Sequence, residues 1–322
     1  MKLKVAVVGT GNMGRYHINN YSEMNNVELV AICDKDKAKL GQYSDSIEKY
    51  DNIDDLLCNK DIDLISLVTP TSTHYSLGKK IIKKQINLLV EKPISDNLDH
   101  ARELIKLAKL NNVILAVGHI ERYNPAVLKS KELIEKGVLG NITSISTKRV
   151  GNMPSQINDV NVISDLGVHD LDLVRYLAGS KVKDISANAG NGKLSDRFDY
   201  ADIFIKFEND VSAHVQVNWL TPVKIRTITI TGTKAYLEVD LIKQQIKLYE
   251  SFKFEQALTY DEIVKDYKLN KGTFVNLIKK QPLRSELDNV VNSILGKKSN
   301  IIAEDAVETL KIVKRIEDIL KK

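Results

Sequence analysis

The sequence predicts a two-domain α/β protein: an open, doubly wound parallel sheet over residues 1–120, then an α+β domain built on a large, open-faced, mainly antiparallel sheet. Three observations predict it. Apolar runs of strand length alternate with helix-spaced segments through the first 120 residues. A glycine-rich turn follows the first run. Beyond Asn124-Pro125 the text changes to strands with one apolar and one polar face. A chain of 322 residues also exceeds the usual size of a single core.

Lys4–Val8, Val27–Cys33, Asp63–Val68, Asn87–Glu91 and Val113–Val117 are the apolar runs of the first half. Parallel strands buried on both faces read this way, with crossover helices between them. Helical spacing lies at Met13–Met24, Ile53–Leu57, His74–Lys84 and Leu98–Leu110. Repetition of strand and helix in this order gives a doubly wound sheet. Pro125 suits the first turn of a helix over Ala126–Glu135, which Gly137 and Gly140 close. A strand at Ile142–Arg149 leads through an irregular stretch, Gly151–Asn161, into a helix at Asp165–Leu177 that stops at Gly179. From Lys181 onward strands dominate. Ile203, Ile205 and Phe207 alternate with polar residues, as do Val211, Ala213, Val215, Val217 and Trp219, and Glu208-Asn209-Asp210 is the hairpin turn between them. Ile225–Thr231 and Ala235–Val239 flank Gly232, and Gln245–Tyr249 adds a strand. An amphipathic helix, Ala303–Leu320, ends the text. The expected division is 1–120, 121–300, and a C-terminal helix within 301–322 that packs back on the first domain.

Composition narrows the function. Hydrophobic residues make up 43% and charged residues 28%, an ordinary globular balance that excludes a disordered chain. No apolar run approaches the roughly 18 residues of a spanning helix, so no membrane partner is expected. The formal charge of +5 is spread along the chain. Lys79, Lys80, Lys83 and Lys84 form the solvated face of a helix whose other face holds Leu77, Ile81 and Ile82, so no nucleic-acid partner is expected. The mild excess suits a small anionic ligand. Cys33 and Cys58 without a C-x-x-C exclude a disulfide frame and a cysteine-rich zinc site. The text opens directly into Lys2–Val8 with no signal-peptide pattern, and the expectation is a cytoplasmic protein with reduced thiols.

Gly9-Thr10-Gly11-Asn12-Met13-Gly14 matches G-x-G-x-x-G between a strand and a helix, the context that the dinucleotide fingerprint requires. Gly9 permits the tight turn, Gly11 admits a pyrophosphate to the backbone, and Gly14 lets helix and strand pack closely. The N-terminus of the following helix faces the phosphates with its first N–H groups. Asp34 ends the second strand, where an acid accepts from the adenosine ribose and repels a 2′-phosphate. That points to NAD rather than NADP, although Lys35 follows directly.

Three further segments carry polar chemistry. Thr69-Pro70-Thr71-Ser72-Thr73-His74 leaves the fourth main strand at the carboxyl edge of the sheet, where its hydroxyls line a ligand site or cap the next helix. Glu91-Lys92-Pro93 ends the next strand on the same edge; Lys92 there is a proton-relay candidate or a turn lysine. Asp165 and His169 stand at i and i+4, with Asp172 one turn on. A histidine beside a carboxylate is a competent general base; the alternative is a capping Asp165 and a locally bonded core His169. A metal site from His119, Glu121, His169 and Asp170 is the weaker reading, and none is expected.

In this order the motifs resemble the Gfo/Idh/MocA oxidoreductases: Gly9–Gly14 after the first strand, Thr69-Pro70 with His74, Glu91-Lys92-Pro93, and Asp165-x-x-x-His169. The resemblance covers essentially the whole chain. It implies a Rossmann domain that binds a nicotinamide dinucleotide through Gly9, Gly11, Asn12, Met13, Gly14, Asp34, Thr69, Pro70, His74, Glu91 and Lys92. It implies a cis Lys92–Pro93 bond, and Lys92 and His169, with Asp165 beside them, at the reacting carbon. A narrower resemblance is to dehydrogenases that oxidise C3 of UDP-N-acetylglucosamine. Its carriers are Gly118-His119-Ile120-Glu121-Arg122-Tyr123-Asn124-Pro125, Arg149-Val150-Gly151 and Val217-Asn218-Trp219-Leu220-Thr221-Pro222. It implies substrate contacts from Arg122, Tyr123, Asn124, Arg149, Asp165, His169 and Trp219. Arg122, Arg149 and Arg226 are candidate bidentate partners of the diphosphate, or else structural arginines. The alternatives are an inositol or free-sugar dehydrogenase of the same fold and a dinucleotide-sensing regulator without turnover. Lys92 and His169 lie in different predicted domains, so the expected active site is the cleft between them. The exposed sheet face, bearing Tyr236 or Leu237 depending on register, predicts a homodimer or homotetramer.

Overall fold

The computed structural model describes residues 2–58, 61–153, 160–194, 196–251, 271–297 and 303–321. The first elements are β1 (Leu3–Val8), α1 (Asn12–Ser22), β2 (Val27–Cys33), α2 (Lys37–Leu40), β3 (Glu48–Tyr50), α3 (Ile53–Leu56), β4 (Leu64–Leu67), α4 (Thr71–Lys83), β5 (Asn87–Val90), α5 (Leu98–Leu110) and β6 (Leu115–Val117). A 3-10 turn, Ile120–Tyr123, precedes α6 (Pro125–Glu135), β7 (Ile142–Asn152), a π-helical turn at Ile163–Gly167 and α7 (Val168–Ala178). Then come β8 (Val182–Gly190), β9 (Tyr200–Phe207), β10 (Ser212–Asn218), β11 (Leu220–Gly232), β12 (Ala235–Asp240), β13 (Gln245–Glu250) and β14 (Thr273–Phe274). Two helices follow, α8 (Pro282–Ile294) and α9 (Ala303–Leu320). The irregular stretch expected over 151–161 falls partly outside the described residues.

Two compact units emerge, residues 1–120 with 281–311, and 121–280 with 312–322. The first holds a six-stranded parallel sheet in the order β3-β2-β1-β4-β5-β6, the doubly wound arrangement. Its strands are buried on both faces. Ala6, Val8, Ile65 and Leu67 pack on one side, and Val5, Val7, Leu64 and Leu89 on the other. The expected boundary at 300 requires correction. Leu283, Leu287, Val290 and Val291 of α8 join the core of the first unit, because Pro282 starts a helix with apolar residues at helical spacing. The last helix is divided between the two cores. Ala303, Ala306, Val307 and Leu310 of α9 pack in the first unit, whereas Ile312, Val313 and Ile316 join the second core.

The second unit is built on an eight-stranded sheet, β14-β13-β12-β11-β7-β10-β9-β8. Every pairing is antiparallel except β7 with β10, which run parallel. Alternation buries Ile203, Ile205 and Phe207 of β9 and Ala213, Val215 and Val217 of β10 against α7 and its neighbours. Register resolves the choice left open in β12. Ile230 opposes Leu237, which is buried, and Thr231 opposes Tyr236, which faces outward beside Tyr249. On the same outward face Phe204 is 54% exposed and stacks on His214.

Candidate active site

The glycine turn follows β1 as its motif requires. Gly9 adopts φ +96°, and a Cβ there would lie 2.3 Å from the Val68 carbonyl oxygen. A Cβ on Gly14 would lie 1.9 Å from the Gly9 carbonyl oxygen, so only glycine lets α1 sit this close. Gly11 differs: a Cβ would meet nothing within 4 Å. It is the N-cap of α1 and supplies no side-chain cap, so the helix N-terminus beyond Asn12 and Met13 opens onto that space. These are the features a dinucleotide pyrophosphate fits, with free room at Gly11 and a helix dipole aimed at it.

Asp34 leaves β2 beside this turn. Its Oδ2 accepts from the Thr10 backbone N–H (2.7 Å) and hydroxyl (2.8 Å), and its Oδ1 from the Asp36 N–H (3.0 Å). Burial alone raises the carboxyl, but the bonds from Asp36 and Thr10 outweigh it and hold Asp34 below the usual carboxylate range. Three of about four lone-pair sites are used, which leaves acceptor capacity for a ribose hydroxyl.

The ends of β4 and β5 are tied together by His74. Its ring nitrogens lie 2.9 Å from the Pro93 carbonyl and 2.8 Å from the Thr69 carbonyl, and the side chain is buried. Both ring nitrogens of His74, expected at the cofactor, face backbone carbonyls. His74 holds the two loops that flank the carboxyl edge. Pro70 is the N-cap residue of α4, and Thr73 bonds Thr69 Oγ1 and the Pro70 carbonyl, so these hydroxyls bond one another rather than cap the helix. The Lys92–Pro93 peptide is cis. Glu91 sits beneath Lys92: its Oε2 accepts the Lys92 N–H (3.1 Å), and its Oε1 lies 3.3 Å from His17 Nε2. Gly118 makes room for this carboxylate, because a Cβ there would come within 3.0 Å of Oε1. Burial raises the Glu91 carboxyl, yet His17 and Lys92 together keep it below its ordinary range.

In the second unit the helix expected at Asp165 begins differently. Asp165 lies in the π turn and His169 in the first turn of α7. The i→i+5 bonding widens this turn, and such turns recur at functional sites. Both side chains are half-buried, and Asp165 acts electrostatically on Arg226.

Of the candidate arginines, Arg149 and Arg122 are paired within the protein. Arg149 is 1% exposed. Its guanidinium bonds Asp170, also buried, and Glu121 Oε1 at 2.7 Å. Arg122 makes a two-pronged bond to buried Asp172, with Nε and Nη2 each 2.6 Å from a carboxylate oxygen. A guanidinium withdrawn from water needs a carboxylate, and buried Arg149 and partly buried Arg122 have theirs inside the protein. Asn124 is likewise spent: Oδ1 caps α6 through the Ala126 N–H, and Nδ2 donates to the Leu241 carbonyl. Trp219 is buried in the second core. Tyr123 remains half-buried in the 3-10 turn.

Sequence reasoning missed Lys224, two residues before Arg226 on β11, on the same strand face. Arg226 first, then burial and Arg149, pushes the Lys224 ammonium below its ordinary value. Glu121, held low by Arg149 and Arg226 despite burial, pairs with Arg226 at 3.4 Å, and Asp170 and Asp165 act on Arg226 as well. The i, i+2 spacing of Lys224 and Arg226 was the available signal. Among the described residues no group of three or more His, Cys, Asp or Glu side chains is placed to hold a metal.

Comparison with known proteins agrees with this architecture. Residues 3–119 match the oxidoreductase family with an NAD-binding Rossmann fold, Gfo/Idh/MocA, and residues 127–238 match a C-terminal domain of the same family. UDP-N-acetylglucosamine 3-dehydrogenase of Acidithiobacillus ferrooxidans is 26% identical over 296 residues, 91% of this chain and 88% of that one. The solved structure of GnnA, the enzyme of that name from the same organism, matches with a TM-score of 0.86 at 22% identity, over 100% of this chain and 98% of the other. The scyllo-inositol 2-dehydrogenase (NAD(+)) of Bacillus subtilis is 28% identical over 262 residues, 76% of this chain and 75% of its own. The fold, the glycine turn and both matched domains make this chain a member of the Gfo/Idh/MocA oxidoreductases, an NAD-binding dehydrogenase of the family that acts on sugar and polyol hydroxyls.

Proposed function

We propose that the enzyme oxidises a secondary hydroxyl of a nucleotide-linked sugar, the C3 hydroxyl of UDP-N-acetylglucosamine. The observation that carries the substrate class is the pair of cations Lys224 and Arg226 on one face of β11, where Arg226 lowers the Lys224 ammonium. Such a site gains by binding an anion, and a diphosphate answers both side chains. The relative that matches most of this chain is named for this sugar nucleotide.

NAD, when bound, supplies the hydride acceptor. The turn from Gly9 to Gly14 receives its pyrophosphate, and the remaining acceptor capacity of Asp34 takes a ribose hydroxyl, which favours NAD over NADP. His169 takes the proton from the reacting hydroxyl, with Asp165 supporting the charge it gains. Lys92 orients the hydroxyl or relays its proton, on a backbone held by Glu91. Tyr123 completes the substrate contacts. The outward face of the large sheet, with Phe204, Tyr236 and Tyr249, pairs copies of the chain into a homodimer or homotetramer. The free thiols Cys33 and Cys58 suit the reducing cytoplasm.

A second reading, an inositol dehydrogenase, has a specific observation behind it. Arg122 and Arg149 are satisfied internally, and the Bacillus subtilis relative acts on an inositol by name. Absorbance at the reduced-nicotinamide band, with a panel of UDP-sugars and inositols, separates the two. UDP-N-acetylglucosamine with NAD should give the highest kcat/KM. An inositol as best substrate would replace the proposal.

A further inference from the structure

One buried acid belongs to none of this machinery. α8 sets Glu286 in the middle of its apolar face, between Leu283 and Leu287 on one side and Val290 on the other. The residue is 1% exposed, and neither carboxyl oxygen has a hydrogen-bond partner among the described residues. α8 packs against α1, whose buried face carries His17, Asn20 and Tyr21. There His17 Nδ1 and Asn20 Oδ1 are also buried without a partner among the described residues. Three buried polar groups on one helix pair need partners, because an unanswered buried polar group is costly.

Their donor and acceptor capacities are complementary. Glu91 is ionised, and its Oε1 faces His17 Nε2. If Nε2 donates to that carboxylate, Nδ1 carries a lone pair and needs a donor. Asn20 Oδ1 needs one as well. Glu286 is the available source of a proton, because burial drives its carboxyl well above the ordinary value and the Glu91 charge adds to this. The other titratable group nearby on α1, Tyr21, is committed to Ser66 Oγ at 2.8 Å. On α8 itself, Arg284 and Asp288 pair with each other nearer the surface. A water that accepts from a Glu286 O–H and donates to His17 Nδ1 and Asn20 Oδ1 makes three bonds, the usual number for a buried water.

We propose that Glu286 is a positioning residue: as a neutral carboxylic acid it acts through one bridging water on His17, fixing the imidazole tautomer that donates to Glu91 and so holding the Glu91 carboxylate under the Lys92 backbone. The consequences for catalysis and for NAD affinity rest on the proposed roles of Glu91 and Lys92; the protonation does not. An unfolded glutamate loses its proton near its ordinary value of about 4.3, whereas folded Glu286 retains it to higher pH. Above about pH 5 folding therefore takes up a proton, and stability falls as pH rises until the folded value is passed. Glutamine at 286 removes this dependence and keeps a donor.

Denaturant unfolding of the wild type, E286Q and E286L from pH 5.5 to 7.5, with NAD affinity from calorimetry, tests the proposal without any sugar substrate. The unfolding constant of the wild type should rise about tenfold per pH unit relative to E286Q. E286Q should keep NAD affinity within about twofold, and E286L should weaken it about tenfold, the scale of one lost hydrogen bond. A wild-type to E286Q ratio that does not change with pH would overturn the proposal. So would equal NAD affinity in E286Q and E286L. If E286L does not fold, the pH dependence of that ratio decides alone. A failed sugar panel beside a pH-dependent ratio would reject the substrate and leave Glu286 as described.

Discussion

At the carboxyl edge of the first sheet, function is written in short stretches of backbone. In the second unit it is written in charge pairs that only the fold assembles. Asp34 reaches Thr10 across 24 residues through neighbouring parallel strands, His74 reaches Thr69 across 5, and Glu91 holds the very next N–H. Arg149 reaches Glu121 across 28 residues, Arg122 reaches Asp172 across 50, and Arg226 reaches Glu121 across 105. The first kind of site rests on steric necessity, which a glycine or a strand-end acid announces. The second rests on burial, which decides whether an arginine serves a ligand or the protein.

Substitutions sharpen this contrast. Arg149→Met should have the largest effect on stability, about 3–5 kcal/mol by denaturant unfolding, because it strands Asp170 and Glu121 without their cation. A loss below 1 kcal/mol would return Arg149 to the list of ligand contacts. Gly14→Ala comes next, at about 3 kcal/mol, since its Cβ would collide with backbone rather than a movable side chain. Gly11→Ala is its control: the thermal midpoint should hold while NAD affinity drops, and an equal loss of stability in both would refute the open cradle. Asp34→Ala should be smaller still, weakening NAD by about 1–3 kcal/mol in a calorimetric titration. Tighter binding of NADP than NAD by the wild type would contradict the role given to this acid.

How far the sequence carried follows the same divide. Continuous apolar runs and the glycine spacing made the parallel sheet legible, because burial on both faces and a turn at φ +96° each demand particular residues. The alternation in β7 and β10 was legible too, but not their parallel pairing, since one face in and one face out reads alike for either direction. The π turn before α7 leaves no mark in residue spacing, so spacing alone puts Asp165 and His169 on a regular helix. α8 is legible in the sequence as Pro282 ahead of Leu283, Leu287, Val290 and Val291 at helical spacing. In the candidate site, the glycine turn follows β1 as its spacing requires, whereas His74, Asn124, Arg149 and Trp219 are buried and Arg122 pairs with buried Asp172. Polarity identified them as polar or large; only packing tells which partner each one has.

The central claim is that His169 and Lys92 move the proton while the glycine turn holds the dinucleotide. The direct test measures NAD affinity and turnover of UDP-N-acetylglucosamine together, in the wild type, His169→Ala and Lys92→Met. Each variant should bind NAD nearly as the wild type does and lose about two to four orders of magnitude in kcat, the scale of a missing general base. Near-normal turnover in both variants would contradict the account.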